Sequence, residues 1–286
     1  TTKMYALCAA TPVNAKEYEM LWNASAINRY AIAASDGDIG TISDFLFDDT
    51  NWLVRWLVVD TGNWLSSRKV LLPSSALAHL YAQQEECSIN LTMQQIKDSP
   101  DVDTDQPVSR QMETSIYGYY GYNPNWSSGY GYLGGMGYMG GYGYMGGMGG
   151  AMPVSPRSRQ RDEELAGAGQ NRDDVHLRSV QAVTGYHIHA SDGQIGHVED
   201  FLIEDADWSV RYLVVDTKNW WPGKKVLISP RSVKEIDWNN RLVNINVDRR
   251  KVEGGTAYDS SVTIDRAFEE KFLTYYGIKF VDTDPN

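Results

Sequence analysis

An internal duplication is the feature that most constrains what this chain can fold into. Residues 27–121 recur at residues 183–277 with a constant offset of 156 and no gap. The segments SDGDIGTISDFLFDDTNWLVRWLVVDTGNW (35–64) and SDGQIGHVEDFLIEDADWSVRYLVVDTKNW (191–220) are identical at 19 of 30 positions. Each repeat is long enough for a unit with its own core. The sequence therefore predicts one folding unit used twice.

Each repeat is patterned as a series of short strands. AIAASDGDIGTISDFLF (31–47) predicts a strand, an Asp-Gly turn and a second strand, which is a strong hairpin signal. VRWLVVDT (54–61) is a nearly continuous apolar run, typical of a central strand. KVLL (69–72) and CSINL (87–91) add further strands, and repeat two has a counterpart of each. Short strands separated by turns predict a small antiparallel barrel.

Each repeat ends on the pattern R-x-x-E…Y-Y-G, at residues 110–121 and 266–277. The pattern predicts a short tail helix that covers the barrel edges and ends at Gly121 or Gly277 as a C-cap. Before it, TMQQI (92–96) has the spacing of a capping box. The residues expected on the inner face of the tail helices are Met112, Ile116 and Tyr119, and Phe268, Phe272 and Tyr275.

Three segments lie outside the repeats: an N-terminal extension (1–26), a low-complexity linker (122–182) and a C-terminal tail (278–286). The linker is rich in Gly, Tyr and Met, and ordering so much glycine costs too much entropy, so it is predicted to be a disordered tether. Binding of Cu(I) by its methionines and self-association of its aromatic residues are alternatives. Met20 is an alternative start, which would make residues 1–19 foreign to the native chain.

The charge and the cysteines limit the function classes. The net charge is −11, with −7 on repeat one and −3 on repeat two, and such an acidic chain is poorly suited to gripping nucleic-acid phosphates. No run of about 18 apolar residues predicts a membrane helix, so the expected location is the cytoplasm. The two cysteines, Cys8 and Cys87, lie in different sequence contexts, and a reducing compartment disfavours a disulfide between them. Cys87 alternates with Ile89 and Leu91, which predicts a small buried hydrophobic side chain.

Charged residues that recur in both repeats are the first candidates for chemistry. They are Asp44 and Asp200, Asp60 and Asp216, and Arg55 and Arg211. Paired carboxylates can do acid–base work, but no motif supplies a nucleophile or a phosphate-binding loop. Turn formation and cross-strand ion pairs explain the same residues. We therefore predict no catalytic residue and no cofactor.

Three histidines of repeat two form a candidate metal site. His187 and His189 are two residues apart, so they lie on one side of a strand, and His197 lies on the next strand of the hairpin. Three imidazoles can bind zinc or copper. Repeat one has no histidine at these positions, so the site is not a property of the fold. Exposed strand histidines are the favoured alternative.

Three tryptophans at loop positions are the candidates for an interaction surface. They are Trp64 in repeat one, and Trp220 and Trp221 before the Pro222-Gly223 turn in repeat two. A large aromatic side chain in a loop can anchor a partner or the other barrel. Packing between the two repeats is the favoured use.

The pattern S-D-G-x-I-G-x-(I/V)-x-D-F-L, followed by V-R-(W/Y)-L-V-V-D-T and K-V-L-(L/I), resembles the PRC-barrel family. The resemblance covers both repeats and the Y-Y-G tail. The family takes its name from the cytoplasmic domain of the photosynthetic reaction-centre H subunit, and it includes a domain of a ribosome small-subunit maturation factor. The resemblance implies a small, curved, six-stranded barrel that binds proteins or lies against a membrane complex, and that has no catalytic residues of its own.

The expected function is therefore that of a soluble, non-enzymatic bacterial scaffold with an unnamed protein partner. We expect its two barrels to pack about a quasi-two-fold axis, as in a duplicated homodimer, with homo-oligomers as an alternative. A second hypothesis is an accessory of photosynthetic electron or proton transfer, peripheral to the inner membrane, by analogy with the H subunit. Help in ribosome assembly is a weaker alternative.

Overall fold

Two β-sheets, one for each repeat, dominate the computed structural model of this chain. It describes residues 20–65, 68–100, 116–121, 176–217, 223–259 and 264–278. The predicted linker up to residue 175 and the tail from residue 279 lie outside the described residues. Among the described residues no helix is both long and apolar enough to cross a membrane.

The elements of repeat one recur in repeat two 156 residues later. β1 (Leu21–Asn23) and α1 (Ala24–Ile27) lead into repeat one. Repeat one then contains β2 (Ala31–Ala34), β3 (Gly37–Asp48), β4 (Val54–Asp60), β5 (Lys69–Pro73), β6 (Leu77–Tyr81), β7 (Glu86–Ile89) and α2 (Met93–Lys97). In the same way β8 (Leu177–Ser179) and α3 (Val180–Val183) lead into repeat two. Repeat two then contains β9 (His187–Ala190), β10 (Gly193–Glu204), β11 (Val210–Asp216), β12 (Lys225–Ile228), β13 (Val233–Asp237), β14 (Leu242–Ile245), α4 (Arg249–Glu253), β15 (Ala257–Tyr258) and α5 (Arg266–Tyr276). Residues 116–120 are helical and correspond to the end of α5.

The strand order corrects one part of the sequence-based expectation. The first sheet runs β5-β4-β3-β2-β7-β6 and the second β13-β14-β9-β10-β11-β12-β15. The predicted hairpins are confirmed, but β2–β7 and β9–β14 are parallel pairs, so the sheets are not purely antiparallel. In the described residues no backbone pairing joins the two end strands, so a closed barrel is not seen. Local patterns predict hairpins, whereas these pairings join strands that are distant in sequence.

The second glycine of the S-D-G-x-I-G pattern is required by a close crossing of two strands. A Cβ built on Gly40 would lie 2.0 Å from the carbonyl oxygen of Asp60, and one on Gly196 would lie 2.0 Å from that of Asp216. Both glycines have φ of +156°. No side chain fits there, so this glycine lets β3 and β10 pass over the end of the next strand.

Other residues of the shared pattern fasten each sheet to its short helix and its loops. Asp36 Oδ1 accepts the N–H of Met93 at the start of α2, and Asp192 Oδ1 accepts the N–H of Arg249 at the start of α4. The hydroxyl of Thr61, at the end of V-V-D-T, donates to the carbonyl of Arg68 at 2.6 Å. The predicted capping box is also confirmed at the start of α2. The strongest identity between the repeats therefore falls on residues that hold the fold together.

Cys87 lies in the core, as its apolar alternation predicts. Its exposed fraction is 0%. It lies on β7 beside Ile32, and Phe45, Leu57 and Val59 are equally buried in the same sheet. Burial raises the pKa of the Cys87 thiol to about 12, so the thiol stays protonated at neutral pH.

The tail helices follow the prediction except at the tyrosine of the buried face, since Ile116 and Phe272 are buried as predicted. Gly277 ends α5 in the left-handed conformation with φ of 71°, as expected of a C-cap. Tyr119 and Tyr275, predicted to face inward, are 40% and 42% exposed. Tyr120 and Tyr276 are buried instead. Adjacent tyrosines leave the inner face ambiguous in the sequence, because neighbouring helix positions point about 100° apart.

Replacing Gly40 by alanine tests the close crossing. The new methyl group would overlap the Asp60 carbonyl, so Gly40→Ala is expected to lower the free energy of unfolding by at least about 2 kcal/mol in urea titrations. Gly62→Ala is the matched control, because Gly62 has φ of +52° with no atom near its missing Cβ. The control is expected to cost about 1 kcal/mol, from backbone strain alone. Equal losses for the two variants would contradict the crossing argument.

The buried tyrosine of α5 predicts a loss of stability at alkaline pH. Burial raises the pKa of Tyr276 to about 12. Because the folded chain holds this proton more tightly than the unfolded chain, the free energy of unfolding falls as pH rises from about 10 to 12, by about 1.4 kcal/mol for each pH unit. Tyr276→Phe is expected to flatten this decline and to leave neutral stability nearly unchanged. The same slope in both proteins would contradict the assignment.

Candidate functional site: the junction between the repeats

The two repeats are joined by a reciprocal exchange of short segments. We call residues 20–27 arm one and residues 176–183 arm two. β1 of arm one pairs antiparallel with β10 of repeat two, with Trp22 opposite Ile203. β8 of arm two pairs antiparallel with β3 of repeat one, with Arg178 opposite Phe47. Each sheet therefore contains one strand that belongs to the other repeat.

Asp200 holds arm one at the start of its helix. Asp200 Oδ2 accepts the Asn23 amide at 2.9 Å, and Asp200 Oδ1 accepts the backbone N–H of Ser25 at 3.1 Å. The Ser25 hydroxyl also donates to Oδ2. The backbone N–H of Phe201 donates to Oδ1 at 2.8 Å and orients the carboxylate. A side chain that the sequence offers for acid–base chemistry is thus occupied by four hydrogen bonds.

Asp44 does the same for arm two. Its Oδ2 accepts the Ser179 hydroxyl, and its Oδ1 accepts the backbone N–H of Gln181 at 3.1 Å and that of Phe45 at 2.7 Å. Burial raises the pKa of Asp44 above its ordinary value, against the opposing effect of these hydrogen bonds. Asp44 of repeat one therefore binds the arm of repeat two, and the equivalent Asp200 of repeat two binds the arm that precedes repeat one.

A second acidic residue, five positions later, binds the beginning of each arm. Asp205 Oδ2 accepts the indole N–H of Trp22 at 3.0 Å. Its counterpart Asp49 accepts the Arg178 guanidinium at 2.5 Å, and His176 Nδ1 lies 2.9 Å from its other oxygen. Asp205 therefore binds an uncharged indole of arm one, whereas Asp49 forms an ion pair with the arginine of arm two. The junction is therefore symmetric in position and different in chemistry.

The β3–β4 and β10–β11 turns meet between the two arms. The Val54 N–H donates to the Trp208 carbonyl at 2.9 Å, and the Val210 N–H donates to the Trp52 carbonyl at 2.8 Å. Both tryptophans have φ of 61°, which is uncommon for a residue other than glycine, and both are buried. The strained turns are thus held by hydrogen bonds across the junction.

Aromatic packing fills the space under these turns. The Phe47 ring stacks on Trp52 of its own repeat, with centroids 5.2 Å apart. It also contacts Phe201 of the other repeat at 5.6 Å. The two cores therefore meet at the junction without an aqueous layer at this contact, and burial of apolar surface stabilises it.

The duplicated arginines make ion pairs beside the junction. Arg55 and Asp48 form a buried pair. Arg211 Nε lies 3.2 Å from Glu204, and its Nη2 lies 2.6 Å from Glu269 of α5. Burial lowers the pKa of Arg211, but the two carboxylates outweigh that effect and raise it. The glutamate of the R-x-x-E pattern therefore ties the tail helix to the sheet.

Comparison with known proteins agrees with this fold. The family model of the PRC-barrel domain matches residues 24–84 and 188–252, once in each repeat. The chain contains two PRC-barrel domains. An uncharacterized protein of Deinococcus radiodurans is 33% identical over 81 residues, which are 27% of this chain and 28% of that relative. The chain thus spans about a quarter of the length of the curated relative that it matches.

The histidines of the second PRC-barrel domain lie on its surface. His187 is opposite His197 in the β9–β10 pairing, and His189 is opposite Gln194. His187 Nδ1 lies 2.8 Å from the Gln194 amide, and His197 Nε2 lies 4.0 Å from Asp216. In the described part of the chain no three His, Cys, Asp or Glu side chains are grouped as metal ligands. The structure thus brings two of the three candidates together.

Of the three interaction candidates, Trp64 is in the described part of the chain, and it lies away from the junction. Trp64 is in a 3₁₀ turn (Gly62–Leu65) beyond the end of β4, whereas the junction lies at the start of β4. Its exposed fraction is 37%. Trp220 and Trp221 lie outside the described residues. Trp64 of the first PRC-barrel domain is therefore placed to meet solvent or a partner.

The arms are the functional segments that the sequence analysis missed. Arm one lies in the predicted N-terminal extension apart from Ile27, and arm two lies in the predicted linker apart from Val183. A weak signal was present, because LWNASAINRY (21–30) and LRSVQAVTGY (177–186) share Leu, Ala and Tyr at the 156-residue offset. Each arm pairs with the other PRC-barrel domain, so its own neighbourhood in sequence does not reveal its role.

Substitution of Asp44 tests its role in the junction. Asp44→Ala leaves the Ser179 and Gln181 donors without this acceptor, so the free energy of unfolding is expected to fall by about 1–3 kcal/mol. Asp44→Asn keeps one acceptor oxygen and removes the charge of this half-buried carboxylate. Because burial raises the Asp44 pKa, the ionised wild type loses stability as pH rises above about 4. The free energy of unfolding of Asp44→Asn is therefore expected to rise relative to that of the wild type between pH 4 and 7.

Urea titrations at both pH values measure these differences. Asp38→Ala is the control, since Asp38 is an exposed aspartate on the same strand. A loss for Asp38→Ala as large as that for Asp44→Ala would show that the effect does not come from the junction.

Proposed function

We propose that this chain is a non-enzymatic protein-binding scaffold built from two PRC-barrel domains that form one two-lobed body. The observation that carries the proposal is the engagement of Asp44 and Asp200. Both carboxylates, repeated at equal places, bind the arm of the other domain. These two aspartates, which the sequence offers for acid–base catalysis, therefore hold the two domains together.

The proposed partner surface is the exposed end of the first domain around Trp64. Trp64 lies in the 3₁₀ turn (Gly62–Leu65) that comes after the buried strand β4, and its backbone N–H donates to the Thr61 carbonyl at 3.3 Å, so hydrogen-bonded backbone presents the indole. A tryptophan held on a rigid element loses little conformational entropy on binding, and tryptophan is enriched at interface hot spots. The first repeat is also the more acidic of the two, which favours a partner with a basic patch beside an apolar pocket.

Affinity capture from the native cell tests this function. The full chain, the variant Trp64→Ser and the control Tyr81→Ser are each immobilised, and bound proteins are identified by mass spectrometry. Tyr81 is 41% exposed in the same domain, so the control removes a similar aromatic surface elsewhere. A specific partner is expected to bind wild type and Tyr81→Ser and to lose affinity at least about tenfold with Trp64→Ser.

The identity of the captured proteins separates the scaffold from its alternatives. Subunits of a photosynthetic membrane complex would favour the H-subunit-like accessory. Small-subunit ribosomal proteins would favour a role in ribosome assembly. A partner set unaffected by Trp64→Ser would contradict the proposed surface.

A further inference from the structure

The two arm-binding edges of this chain are built alike. Each edge presents an aspartate at the start of its binding strand segment and a second one five residues later, Asp44 with Asp49 and Asp200 with Asp205. Each edge accepts a three-residue strand in the same antiparallel register, followed by a helical turn. Each arm therefore meets an equivalent pair of aspartates, and both arms run in the same direction relative to the strand that they join.

All of these contacts run between the repeats. Arm one leads into repeat one, whose sheet it does not join, and the Trp22 ring contacts Tyr30 of that repeat with centroids 6.4 Å apart. Directly after the arm, the Arg29 N–H donates to the Ile42 carbonyl at 2.8 Å. The same bond recurs between Gly185 and Val198 at 2.7 Å. The repeats can therefore part at the junction while each arm stays attached to its own repeat.

We propose that the junction also forms between two copies of this chain. In that assembly repeat one of each copy exchanges arms with repeat two of the other. Every contact of the single-chain junction is made twice, and no new contact is required. The balance between the two forms then depends on protein concentration against the effective concentration of the tethered repeat.

The chemistry of the arms favours pairing of unlike repeats in this exchange. Arg178 is placed over the Trp238 ring of its own repeat, 4.5 Å from the centroid, and donates to Asp49 of repeat one. Repeat one has Ala82 where repeat two has Trp238, so it lacks this support for an arginine. Two copies of repeat one would meet through Trp22 and Asp49, without the ion pair. A second copy therefore matches best when repeat one meets repeat two.

Charge reversal of the Arg178–Asp49 pair tests the exchange in the full chain. The variant Asp49→Arg places two cations at this contact, and Arg178→Asp places two anions there. When the variants are mixed, exchange between copies restores opposite charges at both contacts. The unchanged Asp49 meets the unchanged Arg178 at one contact, and the arginine introduced at position 49 meets the aspartate introduced at position 178 at the other. Native mass spectrometry is expected to show a two-chain species containing one copy of each variant, at least tenfold above the two-chain species of either variant alone.

The double variant Asp49→Arg/Arg178→Asp is the matched control, because it restores the pair within one chain. It is expected to behave like wild type, as a mainly single-chain species at low concentration. No enrichment of the mixed species, with both variants folded by circular dichroism, would overturn the proposal.

A second measurement requires no substitution. Isotope-labelled and unlabelled wild-type chains are incubated together at high concentration, and native mass spectrometry then follows two-chain species of intermediate mass. Their appearance is expected, and their absence would overturn the proposal even if the charge variants failed to fold. The partner capture through Trp64 uses another surface, so failure of either idea leaves the other unaffected.

Discussion

The structure depends on two carboxylates, the buried Asp200 and the half-buried Asp44, that accept hydrogen bonds from the neighbouring repeat. Asp44 and Asp200 each accept hydrogen bonds from a backbone N–H and a side chain where the helix of the foreign arm begins. Because unpaired donors in a buried contact are costly, these bonds fix the register of the added strand. The turn contacts of Trp52 and Trp208 and the aromatic packing around Phe47 follow from that register. These contacts together fix the position of each arm on the other repeat.

Much of the fold could be predicted from the sequence, because the decisive signals were local. The Asp-Gly turns, the apolar run of β4 and the capping box of α2 each depend on neighbouring residues. The duplication gave each element independent support, since an accident of pattern would not recur 156 residues later. The structural role of Asp60 also followed from its position, and its carboxylate accepts the Gly62 N–H at 2.9 Å.

The rest could not be read locally because it concerns partners that are far apart in the chain. The parallel pairing of β2 with β7 and the use of Asp44 both depend on which segment arrives from elsewhere. The choice between Tyr119 and Tyr120 as the buried residue depends on a rotation of one helix position. Trp64 remains an interaction candidate in a described position, whereas the equivalent Trp220 lies outside the described residues.

The reciprocal exchange has a consequence for how the chain is made. During synthesis repeat one leaves the ribosome first, and its strand β3 then has an unpaired edge beside Asp44 until residues 176–183 follow. Exposed strand edges invite pairing with other chains. Repeat one therefore cannot complete its sheet until residues 176–183 have left the ribosome, and a message interrupted between the repeats yields a product with an open edge. Chaperones and proteases that handle such a product would meet a folded sheet with one unpaired edge as well as unfolded chain.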